Sequence, residues 1–436
     1  MAAEALGRSP LELGSKRELF VDSHLIDHQN GTTLKLHEPR LEAAMSSPAN
    51  AMEYGTVIHD GDLYRLYTRD GRGAAFDGDA TEVTRYCESR DGIQWTRPKL
   101  GLHEVDGSRE NNVILHEPFV CHNFAPFLDA RPGVATSERF KALGGVHKGG
   151  GLVAFRSADG VHWTRLVPTP VIRSKDFAFD SQNVAFWSEL EGCYVCYFRT
   201  WKSRHGNLRT LSRTTSTDFQ NWTEPVALDP NFPGEHLYTS QTHPYFRAPH
   251  LYIATPTRFH PERGESTDIL FMTARGPARY DRTFREAWIR PGLDPARWGN
   301  RSNYAARNVV QTGPEEMSVY ATPFRRFTLR LDGFASLRAG ADVGEMTTLP
   351  LRFAGAQLHL NYATSAGGHL KVEIQEADRR PVPGYSLADF KPLVGDAIDQ
   401  TASWKSGSDL ARLSDRPLRL RFVMQEADIF ALRFQT

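Results

Sequence analysis

Apolar and polar residues alternate along this chain in short runs. Glu53-Tyr-Gly-Thr-Val-Ile-His59 leads through Asp60-Gly61-Asp62 to Leu63-Tyr-Arg-Leu-Tyr67. Gln182-Asn-Val-Ala-Phe-Trp187 leads through Glu191-Gly192 to Cys193-Tyr-Val-Cys-Tyr-Phe198, and Thr239-Ser-Gln-Thr-His-Pro-Tyr245 leads to Leu251-Tyr-Ile-Ala254. Period-two alternation, rich in aromatic and β-branched residues and broken by Gly and Asp, predicts antiparallel strands joined by tight turns. Helical periodicity is nearly absent.

A motif recurs on this background. Ser89-Arg-Asp-Gly-Ile-Gln-Trp95 returns 68 residues later as Ser157-Ala-Asp-Gly-Val-His-Trp163, and after a further 59 as Ser216-Thr-Asp-Phe-Gln-Asn-Trp222. A weaker echo, Thr273-Ala-Arg-Gly-Pro-Ala-Arg-Tyr280, follows 57 residues on. Each of the first three follows a strand-like run. Asp-Gly marks a tight turn, and the Trp can pack back beneath it, pinning the turn to a neighbour. Strand units repeating at this spacing are the mark of a radial β-propeller. Innermost strands are expected near Glu53, His122, Asp180, Thr239 and Thr312, which makes five blades.

Near residue 322 the pattern changes. From Arg325-Arg-Phe-Thr-Leu-Arg-Leu-Asp-Gly333 onward the strands are longer and alternate strictly, as in Gln357–Tyr362, Leu370–Gln375 and Leu418–Met424. Turns are expected at Ala366-Gly-Gly368 and Ala377-Asp-Arg-Arg380, and a short helix capped by Ser386 at Gly384–Phe390. About 110 residues of this kind is the size of one β-sandwich. The fold class expected is therefore all-β: a five-bladed β-propeller over 1–322, carrying the chemistry, and a β-sandwich accessory domain over 323–436.

Composition narrows the function. Lys and Arg number 52 and Asp and Glu 52, so the formal net charge is zero and a nucleic-acid partner is not expected. No run approaches the ~20 apolar residues needed to span a bilayer, so no membrane partner is expected either. The first residues contain no apolar stretch, which reads as cytoplasmic; a leader already removed would change that reading to secretion. Four cysteines are too few for a disulfide scaffold. The lone Cys193-x-x-Cys196 lies on a strand whose geometry sends its thiols to opposite faces, against a redox or zinc role. Cys121 and His122 are likewise adjacent and point apart, so no metal centre is expected. Gly149-Gly-Gly151 lacks the Gly-Lys-Ser/Thr of a phosphate loop.

Glu18-Leu-Phe-Val-Asp22, Tyr54-Gly-Thr-Val57, His122-Asn-Phe-Ala-Pro-Phe127, Phe179-Asp-Ser-Gln-Asn183, Thr312-Gly-Pro-Glu-Glu316 and Leu331-Asp-Gly-Phe-Ala-Ser336 carry a resemblance. With the blade turns and the two-part layout, the chain resembles the propeller glycoside hydrolases of families 32 and 43 and a related bacterial group of glycosyl hydrolases. The resemblance implies a glycosidase acting on a small carbohydrate, with no organic cofactor. A structural calcium ion in the axial channel stays open. The chain departs from family 32 in lacking its Asn-Asp-Pro-Asn-Gly, Arg-Asp-Pro and Glu-Cys motifs, so the catalytic carboxylates have to be argued from position.

Glycoside hydrolysis needs two carboxyl groups flanking the scissile bond, one donating a proton and one acting as base or nucleophile. Polar residues at the starts of innermost strands line one funnel. Asp180, before Ser181-Gln-Asn183, is the leading candidate; a turn at the start of a strand would use the same residue types. Glu316 comes second, since the related group keeps a Glu before Met-Ser-x-Tyr, and Glu53 third. Asp22 in a short N-terminal strand reads better as a turn cap than as a base. Substrate contacts are expected from His122, Asn123, Gln182, Arg199, Gln241, His243 and Tyr54, with Phe124, Trp187, Trp201 and Tyr238 as further stacking surfaces. Two rivals remain: a phosphorylase or transferase on the same frame, with an anion site built from Arg199, His122, His243 and Arg258, and a non-catalytic sugar-binding propeller. The sequence sets no oligomeric state.

Overall fold

The computed structural model describes residues 9–42, 53–277 and 279–435. The segment 48–52, expected from the sequence as a loop leading into Glu53, lies outside them. Among the described residues the chain is all-β, and helix is limited to five single-turn 3-10 segments. It forms two compact units: Glu38–Leu329, and the described residues of Met1–His37 with those of Arg330–Thr436. This division differs from the expected one, because the N-terminal strands join the C-terminal unit and the change comes seven residues after 322.

The larger unit contains five antiparallel sheets in chain order. The first is Glu53–Asp60, Leu63–Asp70, Val83–Ser89, Trp95–Thr96 and Val113–Leu115, and the second Ala125–Leu128, Phe140–Gly144, Val153–Ser157 and Thr164–Arg165. Val184–Ser188, Cys193–Thr200, Thr210–Ser216 and Val226–Ala227 make the third. The fourth is His243–Tyr245, Ala248–Ala254, Met272–Ala274 and Tyr280–Asp281. The fifth is Val310–Gln311, Glu316–Ala321 and Arg325–Arg330, completed by Arg40–Leu41 from early in the chain. A three-stranded ribbon, His236–Leu237, Thr257–His260 and Ser266–Ile269, accompanies the fourth. The opening strands lie side by side: first against second, second against third, third against fourth, and fifth against first.

The recurring motif builds one turn three times. In the first copy Gly92 N donates to Ser89 Oγ at 2.9 Å, Ile93 N and Gln94 N donate to Asp91 Oδ1 at 2.7 Å, and Trp95 Nε1 closes on Gly92 O at 3.2 Å. The copies at Asp159 and Asp218 have the same bonds. The first two turns are pinned across sheets. Tyr320 of the fifth sheet donates to Gly92 O, and Tyr67 of the first donates to Gly160 O. Gly92 and Gly160 need their left-handed φ of 71° and 77°, and a Cβ on Gly160 would come within 2.6 Å of the Tyr67 hydroxyl. The echo at Thr273–Tyr280 lacks the Ser and Asp, and Tyr280 instead bonds Thr242 Oγ1 at 2.5 Å.

In the smaller unit one ten-stranded sheet encloses a core that includes Phe20, Met346, Leu360, Trp404 and Phe422. Its longest strands, Gln357–Glu376 and Leu418–Gln435, pair along nearly their whole lengths. Two expectations change here. Ala366–Gly368 lies inside the strand, in a register irregularity between Thr364 and His369. Gly368 is required there because a Cβ would meet Glu426 O at 2.5 Å. Gly384–Phe390 forms turns, not a helix, and Ser386 Oγ bonds Asp389 Oδ2 at 2.7 Å. Asp22 accepts from His24 N at 3.0 Å, the turn role expected of it.

Candidate active site

The residues that precede the five opening strands converge, and amides tie them together. Gln182 Nε2 donates to Tyr54 O and Thr56 Oγ1, both at 2.9 Å. Gln241 Nε2 donates to Gln182 Oε1 at 2.7 Å and to Ala305 O at 2.8 Å. Asn123 Nδ2 donates to Gly145 O, Phe179 O and Ser181 O, while its Oδ1 accepts from Gly145 N. All three amides are buried, and Asn123 and Gln182 are fully occupied by protein partners. They hold strand ends in place, and Gln241 keeps a buried Oε1 with no hydrogen-bond partner among the described residues. Tyr54, Phe179 and Gln241 take left-handed φ of 47°, 71° and 50°. Such backbone costs on the order of 1–3 kcal/mol each for non-glycine residues and gathers at functional sites.

Charge is concentrated at this leading end. Asp180, its side chain 14% exposed, pairs through Oδ1 with Arg199 Nη2, whose side chain is 0% exposed. The guanidinium sits over Trp201, Tyr238 and Phe177 at 5.1, 5.4 and 5.8 Å from their ring centres. Its Nε and Nη1 are buried without a protein hydrogen-bond partner. Burial lowers Arg199 to about 10. His122 is enclosed as well: Nδ1 lies 3.1 Å from Glu82 Oε1, and Nε2 lies 3.3 Å from Asp180 O and 3.7 Å from Asp77 Oδ1. Tyr54 donates to the same Asp180 carbonyl at 3.3 Å. Glu53 is held by Arg69 at 2.6 Å and faces Arg301 at 3.6 Å. Arg69 also bonds Glu82 at 2.6 Å. Burial works to raise Glu82, but His122 and Arg69 outweigh it and hold that carboxyl below its usual range. Tyr54, Tyr304 and Tyr238 form a stack with centroid spacings of 5.9 and 5.5 Å.

Other expected residues lie elsewhere. Glu316 opens the second strand of the fifth sheet, across the 312–315 turn from Gln311, so it sits where that sheet's opening strand ends. Its carboxylate pairs with Arg326 and accepts from Thr312 Oγ1 at 3.1 Å. The structure does not bring Glu316 to Asp180. His243 opens the fourth sheet's first strand, but its ring takes the Val309 N–H on Nε2 at 3.2 Å and lines a cavity of about 310 Å³ on the trailing side with Phe127, Phe186, Trp187 and Tyr245. Trp187 belongs to that cavity, and Phe124 packs on Phe155 and Trp163. Arg258 is taken up by both oxygens of Asp268. The expected four-residue anion site is therefore not assembled. Among the described residues no group of three or more His, Cys, Asp and Glu side chains is gathered as for a metal ion.

Sequence reasoning missed Asp77, Glu82, Arg69 and Arg301. One signal was available for Arg69. Leu63-Tyr-Arg-Leu-Tyr-Thr-Arg69 and Cys193-Tyr-Val-Cys-Tyr-Phe-Arg199 share their Tyr and Arg positions. In an antiparallel hairpin the end of the second strand returns beside the start of the first. Arg69 thus meets Glu53 in the first sheet as Arg199 meets Asp180 in the third.

No protein-family model and no curated protein matches the chain. Solved structures do. One is called a glycoside hydrolase, at TM-score 0.48 and 12% identity over 68% of this chain and 92% of its own. A family 43 arabinoxylan arabinofuranohydrolase from Bacillus subtilis matches at 0.42 and 13% over 89% and 96%. A β-1,2-mannobiose phosphorylase from Listeria innocua matches at 0.47 and 10% over 69% and 98%.

Proposed function

We propose that the chain is a glycosidase acting on a small carbohydrate, with the five sheets as blades of a β-propeller and the site at their leading end. The smaller unit is then an accessory β-sandwich. The sequence resemblance supports the reaction class, and the carboxylates at the leading end support the site.

Asp180 is the base or nucleophile. Arg199 matches its negative charge, which suits a carboxylate that accepts a proton or attacks carbon and not one that must donate. Glu53 is unsuited to donating, because two arginines face it. Asp77 is the proton donor. Its side chain is 43% exposed, no arginine pairs with it among the described residues, and it approaches the same His122 Nε2 that meets Asp180 O. Trp201 and Tyr238, both partly exposed, offer ring faces to the sugar. The observation that carries this reading is the pair that buried Arg199 makes with Asp180, among residues drawn from the strand starts.

The test compares wild type, Asp180→Asn and Asp77→Asn on aryl pyranosides and furanosides, with and without phosphate. Loss of the proton donor should slow substrates with poor leaving groups by about 10²-fold or more and spare dinitrophenyl glycosides, which need no protonation. Asp180→Asn should slow both. Equal loss on both substrates in Asp77→Asn contradicts its role. No turnover of any glycoside by the wild type contradicts the enzyme.

A further inference from the structure

A second cavity, of about 470 Å³, opens beside Glu53. Its wall includes Arg69, Arg72, Arg85, Arg97 and Arg301, with Glu53 and Asp70 as the acidic residues. Arg69, Arg72 and Arg85 are held by carboxylates, two of which are in the wall itself. Arg85 Nε donates to Asp70 at 2.6 Å and its Nη1 to Asn112 Oδ1 at 3.1 Å, while Arg72 pairs with Asp106. Arg69 is fixed through both terminal nitrogens to Glu53 and Glu82, at 2.6 Å each, and its Nε is buried with no partner. Arg301, across from Glu53 at 3.6 Å, takes a left-handed φ of 58° to stand there. In a chain of zero net charge, five arginines against Glu53, Asp70, Glu82 and Asp106 leave an excess of one positive charge around this hollow. Such planar donors recognise oxyanions in preference to neutral hydroxyls.

We propose that this cavity binds an oxyanion next to the reacting sugar. The inference rests on the glycosidase reading for the identity of its neighbour, Glu53, but not for the binding itself. Two sources share the chemistry: a carboxylate or sulfate carried by the sugar, and free phosphate. Glu53 stands in the cavity wall, next in sequence to Tyr54, whose hydroxyl reaches the Asp180 carbonyl. An anion here therefore lies close to the proposed reaction centre.

The test begins with binding, read by calorimetry on the full chain at low salt with inorganic phosphate, sulfate, glucuronate and glucose. All three anions should bind and glucose should not. Arg301→Gln should weaken anion binding about ten-fold or more, whereas Arg380→Gln, an exposed arginine of the other unit, should leave it unchanged. Circular dichroism and thermal unfolding check that each variant is folded. The turnover arm separates the sources. Faster hydrolysis of aryl glucuronides or sulfated glycosides than of neutral ones assigns the anion to the sugar, and turnover that requires phosphate assigns it to a co-substrate. Absence of anion binding in the folded wild type overturns the proposal even if neutral glycosides are hydrolysed. Binding without any turnover upholds it while the glycosidase reading fails.

Discussion

The two ends of the five-sheet unit are made by the same strands and differ in how their charges are satisfied. At the leading end Arg199 is fully buried, paired with Asp180 and laid over aromatic rings, and two of its nitrogens have no hydrogen-bond partner among the described residues. At the trailing end Glu316 is 34% exposed, and Arg326 and Thr312 complete its environment. Burying a charge is costly, and a fold keeps an incompletely matched one mainly where a ligand completes it. A carboxylate at a strand terminus is thus not informative by itself. The end of the sheet it occupies, and the company it has there, decide its role.

The largest effect that could break this contrast is on stability. Arg199→Met should destabilise the protein by about 3–5 kcal/mol, because it leaves Asp180 near other buried groups without its cation. Adding Asp180→Asn should recover part of that loss. Arg326→Met, at the other end, should cost about 1 kcal/mol, since water reaches its partner. Denaturant unfolding of the three variants checks this, and equal losses at the two ends would remove the contrast.

Second comes a pH effect at the trailing end. Burial lowers His243 from 6.5 to about 4, with the Gln241 carbonyl opposing and Arg307 reinforcing the shift. Between these values the unfolded chain binds a proton that the folded one refuses. Stability is therefore full above about pH 6.5 and declines as pH falls toward 4, by about 3 kcal/mol for this group. His243→Gln should flatten that part of the stability–pH curve while leaving the pH dependence of turnover in place.

Smaller again is the effect of an outer turn. Asp159→Ala removes the acceptor for Val161 N and His162 N and should cost about 2 kcal/mol. Activity per folded molecule should hold, measured alongside the melting temperature. At the neighbouring copy burial works to raise Asp218, but the Asn221 and Gln220 donors prevail and hold it near 2. That turn's contribution should last down to about pH 4 and fade below it.

Much of this organisation was legible in the chain. The Ser-x-Asp-Gly-x-x-Trp turns are local, so their residues could be read directly, and all three copies fold alike. Asp180, His122, Arg199 and Tyr54 do come together, because each lies at or beside the start of an opening strand or the end of the strand that returns to it. Glu316 escaped the same reasoning for a topological reason. Its sheet opens with only two residues, Val310–Gln311, so the Gly313-Pro314 turn places Glu316 on the second strand, not the first. Asp77 and Arg301 stand on irregular segments with no period to mark them, and only the folded chain puts them near His122 and Glu53. The partners of the N-terminal strands were missed because pairing with Ala335–Ala339 and Leu418–Gln435 spans some 300 to 400 residues of sequence.

The most direct test of where the chemistry lies is a side-by-side comparison of Asp180→Asn and Glu316→Gln, both folded, on the best aryl glycoside of the wild type. The account predicts that Asp180→Asn lowers kcat/KM by about 10³-fold and that Glu316→Gln stays within about two-fold of the wild type. Full activity in Asp180→Asn together with a large loss in Glu316→Gln would move the site to the trailing end and contradict it.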